Sequence, residues 1–221
     1  EYSQLVKALG GEVIHISATS SNHINAMDMT KEYGDGANPV ILKSEFIMSL
    51  CEQLIGGSNL GAKQKSIIDR CTASVYRTYQ QNNYQGEVPT LQDFRAELLK
   101  QNEPEAQEIA LAIELFTNGS LNTFAKHTNV DTNNRLLCYD ILDLGKQLMP
   151  IGMLVVLDSI LNRITQNRAK GRNTFIFIDE IYLLFQHEYS ANFLFTLWKR
   201  VRKYGAYATG ITQNVDDLLQ S

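Results

Sequence analysis

The stretch NTFIFIDEIYLLF, residues 173–185, decides the fold of this protein. Residues 174–178 are β-branched and aromatic, which predicts a strand. The strand leads directly into Asp179 and Glu180, after which apolar residues resume. Because an unpaired charge against a core is costly, carboxylates in such a place are expected to have a partner.

Strands and helices alternate on both sides of this stretch. Further strands are predicted at residues 12–17, 135–141 and 207–211, and helices at 146–169 and 191–204. This strand–helix–strand order predicts βαβ units and a mostly parallel sheet, with residues 135–141 as a buried strand. The loop after the first strand, residues 17–28, is predicted to be polar.

Residues 43–125 follow a different period. Apolar residues recur there at helical spacing, and no stretch has the alternation of a strand. Thr90, followed three residues later by Asp93, predicts the N-terminal cap of one of these helices. The sequence therefore predicts three parts: core residues 1–42, a helical subdomain at 43–125 and core residues 126–221.

Composition excludes several classes of protein. Apolar residues make up 44% and charged residues 20% of the 221 residues, which is typical of a globular domain, and the net charge of −4 gives no generally basic surface for nucleic acid. Three widely spaced cysteines and four scattered histidines form neither a disulfide framework nor a zinc site. The cysteines are instead predicted to be free and buried, which fits a reducing compartment. The longest apolar run, residues 148–157, is shorter than the roughly 20 residues of a membrane span, so no span is predicted.

The position of the two carboxylates suggests a specific chemistry. Ligands of parallel sheets bind beyond the carboxyl ends of the strands, and four apolar residues followed by Asp-Glu form the Walker B pattern of nucleotide hydrolases. In that pattern the first carboxylate holds Mg²⁺ and the second orients the attacking water and accepts its proton. The alternative is that Asp179 merely caps the helix that follows.

A Walker B site also needs a phosphate loop of the form G-x-x-x-x-G-K-[ST]. The nearest candidate is GGSNLGAK at residues 56–63, but Ala62 stands where lysine is required and Lys63 where serine or threonine is required. It also follows a predicted helix, so it is interpreted as a linker between helices. Either the protein is no ATPase, or its phosphate loop lies upstream of Glu1.

A family resemblance favours the second explanation. The segments that carry it are EYSQLVKALGGEVIHISATSSNHINAMD at 1–28, DILDLGKQLMPIGMLVVLDSILNRI at 140–164, FIFIDEIYLLF at 175–185 and LWKRVRKYGAYATGITQNVDDLL at 197–219. Together they resemble the C-terminal ATPase domain of the conjugative type IV secretion traffic ATPases, the VirB-four and TraC-like family within the HerA–FtsK branch of RecA-like motors. The resemblance implies an α/β fold: a RecA-like P-loop NTPase core, truncated because the phosphate loop precedes Glu1 and the domain continues past Ser221, with an inserted all-helical subdomain.

The resemblance also implies roles for five residues. Asp179 matches the Mg²⁺ ligand, and Glu180 matches the catalytic carboxylate. Gln213 matches the polar sensor, whose amide touches the attacking water or the γ-phosphate; the alternative is an ordinary loop amide. Arg200 and Arg202 are candidates for an arginine finger that reaches a neighbouring subunit's nucleotide; the alternative is a solvated basic helix end, which the helix dipole favours.

The implied function is an ATP- and Mg²⁺-dependent motor domain that energises assembly or substrate transfer in a conjugative type IV secretion system. The implied partners are further copies of the chain, in a homo-oligomer such as a hexamer, and other secretion components at the inner membrane face, with DNA as an indirect partner. The implied location is cytoplasmic, with peripheral attachment to the membrane through partners. Two alternatives stay open: a catalytically inert RecA-like scaffold that binds through its helical block, and a DNA-pumping motor of the HerA–FtsK type.

The 221-residue chain is expected to bind Mg-ATP weakly or not at all. A phosphate loop supplies most of the backbone N–H contacts to a triphosphate, and these residues contain no such pattern. Calorimetric titration measures this directly. Binding with a micromolar dissociation constant would show that the phosphate site lies within the chain.

Overall fold

Helices and parallel strands alternate along the computed structural model, which describes residues 2–34, 38–56 and 60–213. Two short 3₁₀ helices, Leu142–Leu144 and Arg202–Tyr204, precede α7 and β4. The other elements, in chain order, are α1 (Tyr2–Ala8), β1 (Glu12–His15), α2 (Pro39–Ile55), α3 (Ala62–Gln81), α4 (Leu91–Leu99), α5 (Pro104–Ala112), α6 (Glu114–Thr117), β2 (Leu137–Asp140), α7 (Gly145–Ala169), β3 (Thr174–Ile178), α8 (Tyr182–Phe185), α9 (Glu188–Val201) and β4 (Ala206–Gly210).

All four strands of the described chain pair in parallel, as predicted. β1 pairs with β2, and β3 pairs with β4, with Ile178 opposite Gly210 at the carboxyl end. Parallel neighbours need a crossover connection, and α8 and α9 supply it between β3 and β4. The predicted α/β fold is therefore confirmed, as two two-stranded parallel sheets within the described residues.

Burial of the strands differs from the prediction. Each of the four residues of β2 is half-buried rather than buried, because among the described strands β2 pairs with β1 alone. In β3, Ile176 is buried, whereas Phe175 and Phe177 are 67% and 69% exposed. Side chains of a strand alternate between its two faces, so β3 packs one face against the core and presents its aromatic residues on the other. Phe175 stacks there on Tyr207 of β4, with ring centroids 5.1 Å apart.

The described part of residues 43–125 contains helices and no strand, as the helical spacing predicts. Thr90 caps α4 in a capping box with Asp93: its hydroxyl accepts from the Asp93 N–H, and the Asp93 carboxylate accepts from the Thr90 N–H. α2 packs on α3, and α4 packs on α3 and α5. The division into three parts at residues 42 and 125 stays a prediction.

The loop after β1, predicted to be polar, instead enters the core. Met27 and Met29 are buried, although their backbone has no strand or helix to satisfy it. The hydroxyls of Tyr76 and Tyr79, both on α3, donate to the Met27 and Met29 carbonyls at 2.5 and 2.9 Å. These bonds satisfy the carbonyls and make burial of an irregular segment affordable.

Helix α7 lies between two hydrophobic clusters. Leu154 and Val155 belong to the cluster that includes the helical block and the loop after β1, while Met153 and Leu157 belong to the cluster beneath β3 and β4. Within the described residues, Leu142–Ala169 is also the one segment long and apolar enough for a membrane span, but 61% of its most apolar window is buried inside the protein. The packing identifies α7 as a core helix.

The cysteines are free, as predicted. Cys51 and Cys71 are buried, and burial raises the pKa of the Cys51 thiol to about 12 and of the Cys71 thiol to about 11. Both thiols therefore stay protonated and unreactive at neutral pH. Cys138 on β2 is half-buried, so the prediction of burial holds only partly for it.

A buried ion pair connects α2 to α7. Lys43 Nζ lies 2.5 Å from Asp158 Oδ2, and both side chains are almost completely buried. The Tyr33 hydroxyl donates to the other carboxylate oxygen, and the Lys43 ammonium lies 4.9 Å from the Tyr33 ring centroid and 4.7 Å from that of Phe46. Burial raises the pKa of the Asp158 carboxyl, and the Lys43 charge opposes that shift.

Lys43→Met is expected to lower the free energy of unfolding by about 3–5 kcal/mol, because it leaves Asp158 buried without its counter-charge. The matched control is Lys63→Met, since Lys63 forms an ion pair with Glu105 but its side chain is 81% exposed. Exposed pairs contribute little, and we expect the control to change stability by less than about 1 kcal/mol. Urea unfolding measures both variants. Equal losses would show that the Lys43–Asp158 pair has no special weight in the fold.

Candidate functional site

The predicted carboxylates lie where two strands end together. Asp179 and Glu180 follow β3 directly, beside the carboxyl end of β4. The pairing continues beyond the strands: the Ile211 N–H donates to the Ile178 carbonyl at 2.8 Å, and the Ile181 N–H donates to the Ile211 carbonyl at 3.0 Å. Two backbone bonds thus fix the chain on either side of the carboxylates.

Glu180 has a backbone conformation that is unusual for its type. Its φ is +49°, in the left-handed region, which a non-glycine residue enters at a cost of about 1–3 kcal/mol. The preceding Asp179 accepts a hydrogen bond from the Glu180 N–H at 3.0 Å. Such strain is concentrated at functional sites, and here it turns the chain out of the strand direction at the predicted catalytic residue.

The capping alternative for Asp179 does not describe this structure. The next helix, α8, begins at Tyr182, and its N-cap is Ile181, which makes no side-chain capping bond. Asp179 is exposed and bonds the amide of its neighbour instead. Its carboxylate is therefore available at the strand end, outside any helix cap.

Gln213 and Glu180 are in direct contact. Gln213 Nε2 donates to Glu180 Oε1 at 2.8 Å, across a sequence separation of 33 residues. Glu180 is half-buried, whereas Asp179 and Gln213 are exposed. The structure thus brings together three of the five predicted site residues and adds a hydrogen bond that the sequence analysis did not predict.

The two arginines lie at the other end of the strands. Arg200 is in the last turn of α9 and Arg202 in the 3₁₀ helix just before β4, so both precede the amino end of β4. Because β3 and β4 are parallel, roughly 13 Å of strand separates this end from Glu180. Both side chains are exposed. The structure does not bring either arginine to the carboxylates of the same chain.

The glycine-rich segment at residues 56–63 connects two helices, as predicted. Gly56 has a φ of +92° and ends α2 as a left-handed C-cap, and Gly61 is the N-cap of α3. Residues 57–59 lie outside the described part of the chain. A connection from helix to helix lacks the preceding strand that a phosphate loop requires.

The described residues contain no group of three or more His, Cys, Asp or Glu side chains that could hold a metal ion by themselves. This does not conflict with the Mg²⁺ role predicted for Asp179, since Mg²⁺ is usually bound by one or two carboxylates together with substrate phosphates and water. An exposed carboxylate at the end of a parallel strand fits that kind of site.

A second polar cluster, missed by the sequence analysis, lies at the end of the β1·β2 pair. His15 Nδ1 is 3.4 Å from Asp140 Oδ2, and His15 Nε2 is 3.6 Å from Asp143 Oδ2. His15 and Asp140 are opposite each other in the strand register. Since more than 120 residues separate them, no local sequence pattern indicates the contact.

Comparison with known proteins identifies the family. A family model described as the TraG P-loop domain matches residues 60–221, which is most of the chain. The chain belongs to the TraG P-loop domain family. The match includes Asp179, Glu180 and Gln213, and it confirms the resemblance to type IV secretion ATPases that the motifs indicate. The comparison with curated proteins gives no match.

A solved structure supports the same fold. VirB4 of Thermoanaerobacter pseudethanolicus is similar to this TraG P-loop chain with a TM-score of 0.79 and 21% sequence identity. The similarity covers 99% of this chain and 61% of the VirB4 chain, so the chain spans about three fifths of that relative's length. The likeness includes β1, which precedes the residues that the family model matches.

The strained conformation at Glu180 predicts a difference between two neighbouring glycine variants. Glu180→Gly removes a Cβ from a left-handed residue, whereas Asp179→Gly removes a side chain from a residue that has no positive φ. Each adds the same freedom to the unfolded chain. Asp179→Gly is therefore expected to be less stable than Glu180→Gly by about 1 kcal/mol in urea unfolding. The opposite order would show that Glu180 is not strained.

Proposed function

We propose that this TraG P-loop domain is part of an ATP-hydrolysing motor of a conjugative type IV secretion system. The observation that supports this most is the contact between Glu180 and Gln213 at the carboxyl end of the β3·β4 pair. Parallel α/β proteins bind their ligands at this end of the sheet. The family match and the VirB4-like fold support the same conclusion.

The reaction proposed is attack of water on the γ-phosphorus of ATP. The bond between the γ-phosphorus and the oxygen shared with the β-phosphate breaks, which yields ADP and inorganic phosphate. Bound Mg²⁺ neutralises charge on the phosphates, and Asp179 would hold it, directly or through its water. Glu180 orients the attacking water and accepts its proton. Gln213, beside Glu180, can direct an amide N–H at the water or at a phosphate oxygen.

The placement of Arg200 and Arg202 supports a role between subunits. Both lie at the end of β4 remote from Glu180 of their own chain, so an arginine there reaches a nucleotide only if the nucleotide belongs to another copy. Residues two apart on a helix point about 200° from each other, and at most one of them is expected to face that nucleotide. We favour Arg202, because it lies nearer to Gly205 and β4. Such a finger makes hydrolysis depend on assembly.

The proposed setting follows from the resemblance. The chain would act within a homo-oligomer such as a hexamer, at the cytoplasmic side of the membrane, attached through other secretion components. DNA would be moved indirectly, by the system that the motor energises. An inert scaffold would have no use for a strained carboxylate bonded to an amide at the ligand-binding end of the sheet.

Two variants test the mechanism in a protein where a phosphate loop of this family precedes these 221 residues. Glu180→Gln is expected to retain ATP binding and lower turnover by about 10²–10⁴-fold, because it keeps the shape of the side chain and removes the base. Arg202→Ala is expected to lower turnover by roughly 10³-fold with ATP affinity nearly intact. Arg200→Ala is the matched control, and we expect it to have much less effect. Phosphate release and nucleotide titration measure these quantities.

Mixing the two inactive variants tests the role between subunits. A mixed interface can pair an intact Glu180 in one copy with an intact Arg202 from the next, so some turnover is expected to return. If mixed oligomers form and no mixing ratio restores activity, Arg202 does not act across the interface. Wild-type turnover in Glu180→Gln would remove Glu180 from the mechanism and favour the inert scaffold.

A further inference from the structure

Gln213 carries a hydrogen bond that its predicted role does not require. A residue that senses the γ-phosphate needs an amide aimed at the phosphate, yet the Gln213 Nε2–H donates to Glu180 Oε1 at 2.8 Å. We infer that Gln213 is a positioning residue, which fixes the carboxylate of Glu180 in the orientation that accepts the water's proton. This inference rests on the proposed function for the role of Glu180, although the contact itself does not.

The chemistry of the two groups allows the contact and catalysis together. A carboxylate has two oxygens, and an amide nitrogen has two hydrogens. When one N–H is bonded to Oε1, the orientation of the carboxylate plane is fixed while Oε2 still has lone pairs for a water. The second N–H of Gln213 can donate to that water or to a phosphate oxygen. One amide can therefore fix the base and contact the reacting group at the same time.

The backbone around Gln213 is fixed as well. Ile211, two residues before it, bonds through its N–H to Ile178 and through its carbonyl to Ile181, one on each side of the carboxylates. Gly210 packs so closely on Ile181 that a Cβ added there would lie 2.6 Å from the Ile181 Cδ1. Gln213 is therefore carried by a segment whose position is set relative to Glu180.

The strain at Glu180 explains why a second residue is needed. A left-handed conformation turns the Glu180 side chain away from the direction of the strand, and an exposed end of a strand offers little packing to hold it. A side chain of this length has several rotamers, and fixing one of them requires a specific contact. The Gln213 amide supplies that contact.

The contact is tested first without nucleotide, on the 221-residue chain. Gln213→Glu places two carboxylates about 3 Å apart, and a repulsion of about 1 kcal/mol corresponds to about fivefold faster amide hydrogen exchange at Ile181 and Ile211. The double variant Glu180→Gln/Gln213→Glu restores a donor opposite an acceptor with their positions exchanged. Its exchange rates are expected to lie within about twofold of the wild type. Gln186→Glu, an exposed change of the same charge, is the matched control and is expected to leave these rates unchanged.

Turnover then tests the positioning role, in the protein that carries the phosphate loop. Gln213→Ala is expected to lower kcat about tenfold while the KM for ATP changes less than about twofold, since the base loses its orientation but the nucleotide keeps its contacts. The exchanged double variant regains the contact but has no carboxylate at 180, so it stays inactive.

Two results would overturn the inference: exchange rates in Gln213→Glu that equal those of the wild type, or a Gln213→Ala variant whose KM rises with kcat unchanged. A wild type without turnover would instead overturn the proposed function, and the exchange rates would still decide whether Gln213 holds Glu180.

Discussion

The ion pair between Lys43 and Asp158 is the constraint on which the rest of this structure depends. Its two charges come from α2 and α7, and neither is accessible to water. A lone buried charge is so costly that the two helices can pack only in the register that brings the charges together. Tyr33 adds a hydrogen bond to Asp158, and Thr30 contacts Asn162 one turn further along α7. The irregular segment after β1 is thereby tied to the same helix, so one pair orients the helical block, the loop and α7 together.

The position of α7 in turn determines where the candidate site lies. One side of α7 completes the cluster with the helical block, and the other side forms the surface on which β3 and β4 pack. The turn after α7 is also fixed to the strands, because the Asn167 amide donates to the Thr174 hydroxyl and the Thr174 N–H to the Gly205 carbonyl. With the start of β3 set in this way, a five-residue strand ends at a defined place. The Asp-Glu pair is delivered there by the length of the strand rather than by contacts of its own.

Those features that depend on neighbouring residues could be predicted from the sequence, and those that depend on distant ones could not. Strand β3 and the carboxylates after it are local, since an apolar run and the residues that end it are adjacent in the chain. The Thr90 cap is equally local and was predicted with its partner. Lys43 and Asp158 are 115 residues apart, and neither has a neighbour that marks it as buried. The bond between Gln213 and Glu180 was missed because a family motif gives a residue's role toward a ligand but not its contacts within the protein. The exposure of Phe175 and Phe177 was missed because an apolar residue has the same letter on either face of a sheet.

Strand β4 unites the two halves of the proposed mechanism. At its amino end lies Arg202, which on our proposal reaches the nucleotide of a neighbouring copy, and beyond its carboxyl end lies Gln213, which holds the base of its own chain. A five-residue strand paired along its whole length to β3 transmits a displacement rather than absorbing it, since stretching it would break the ladder of hydrogen bonds. A shift of Arg202 toward a neighbour's phosphates would therefore move the segment that carries Gln213, and with it the orientation of Glu180. The coupling requires no conformational change in the helical block, because both contacts belong to one strand and the residues that flank it.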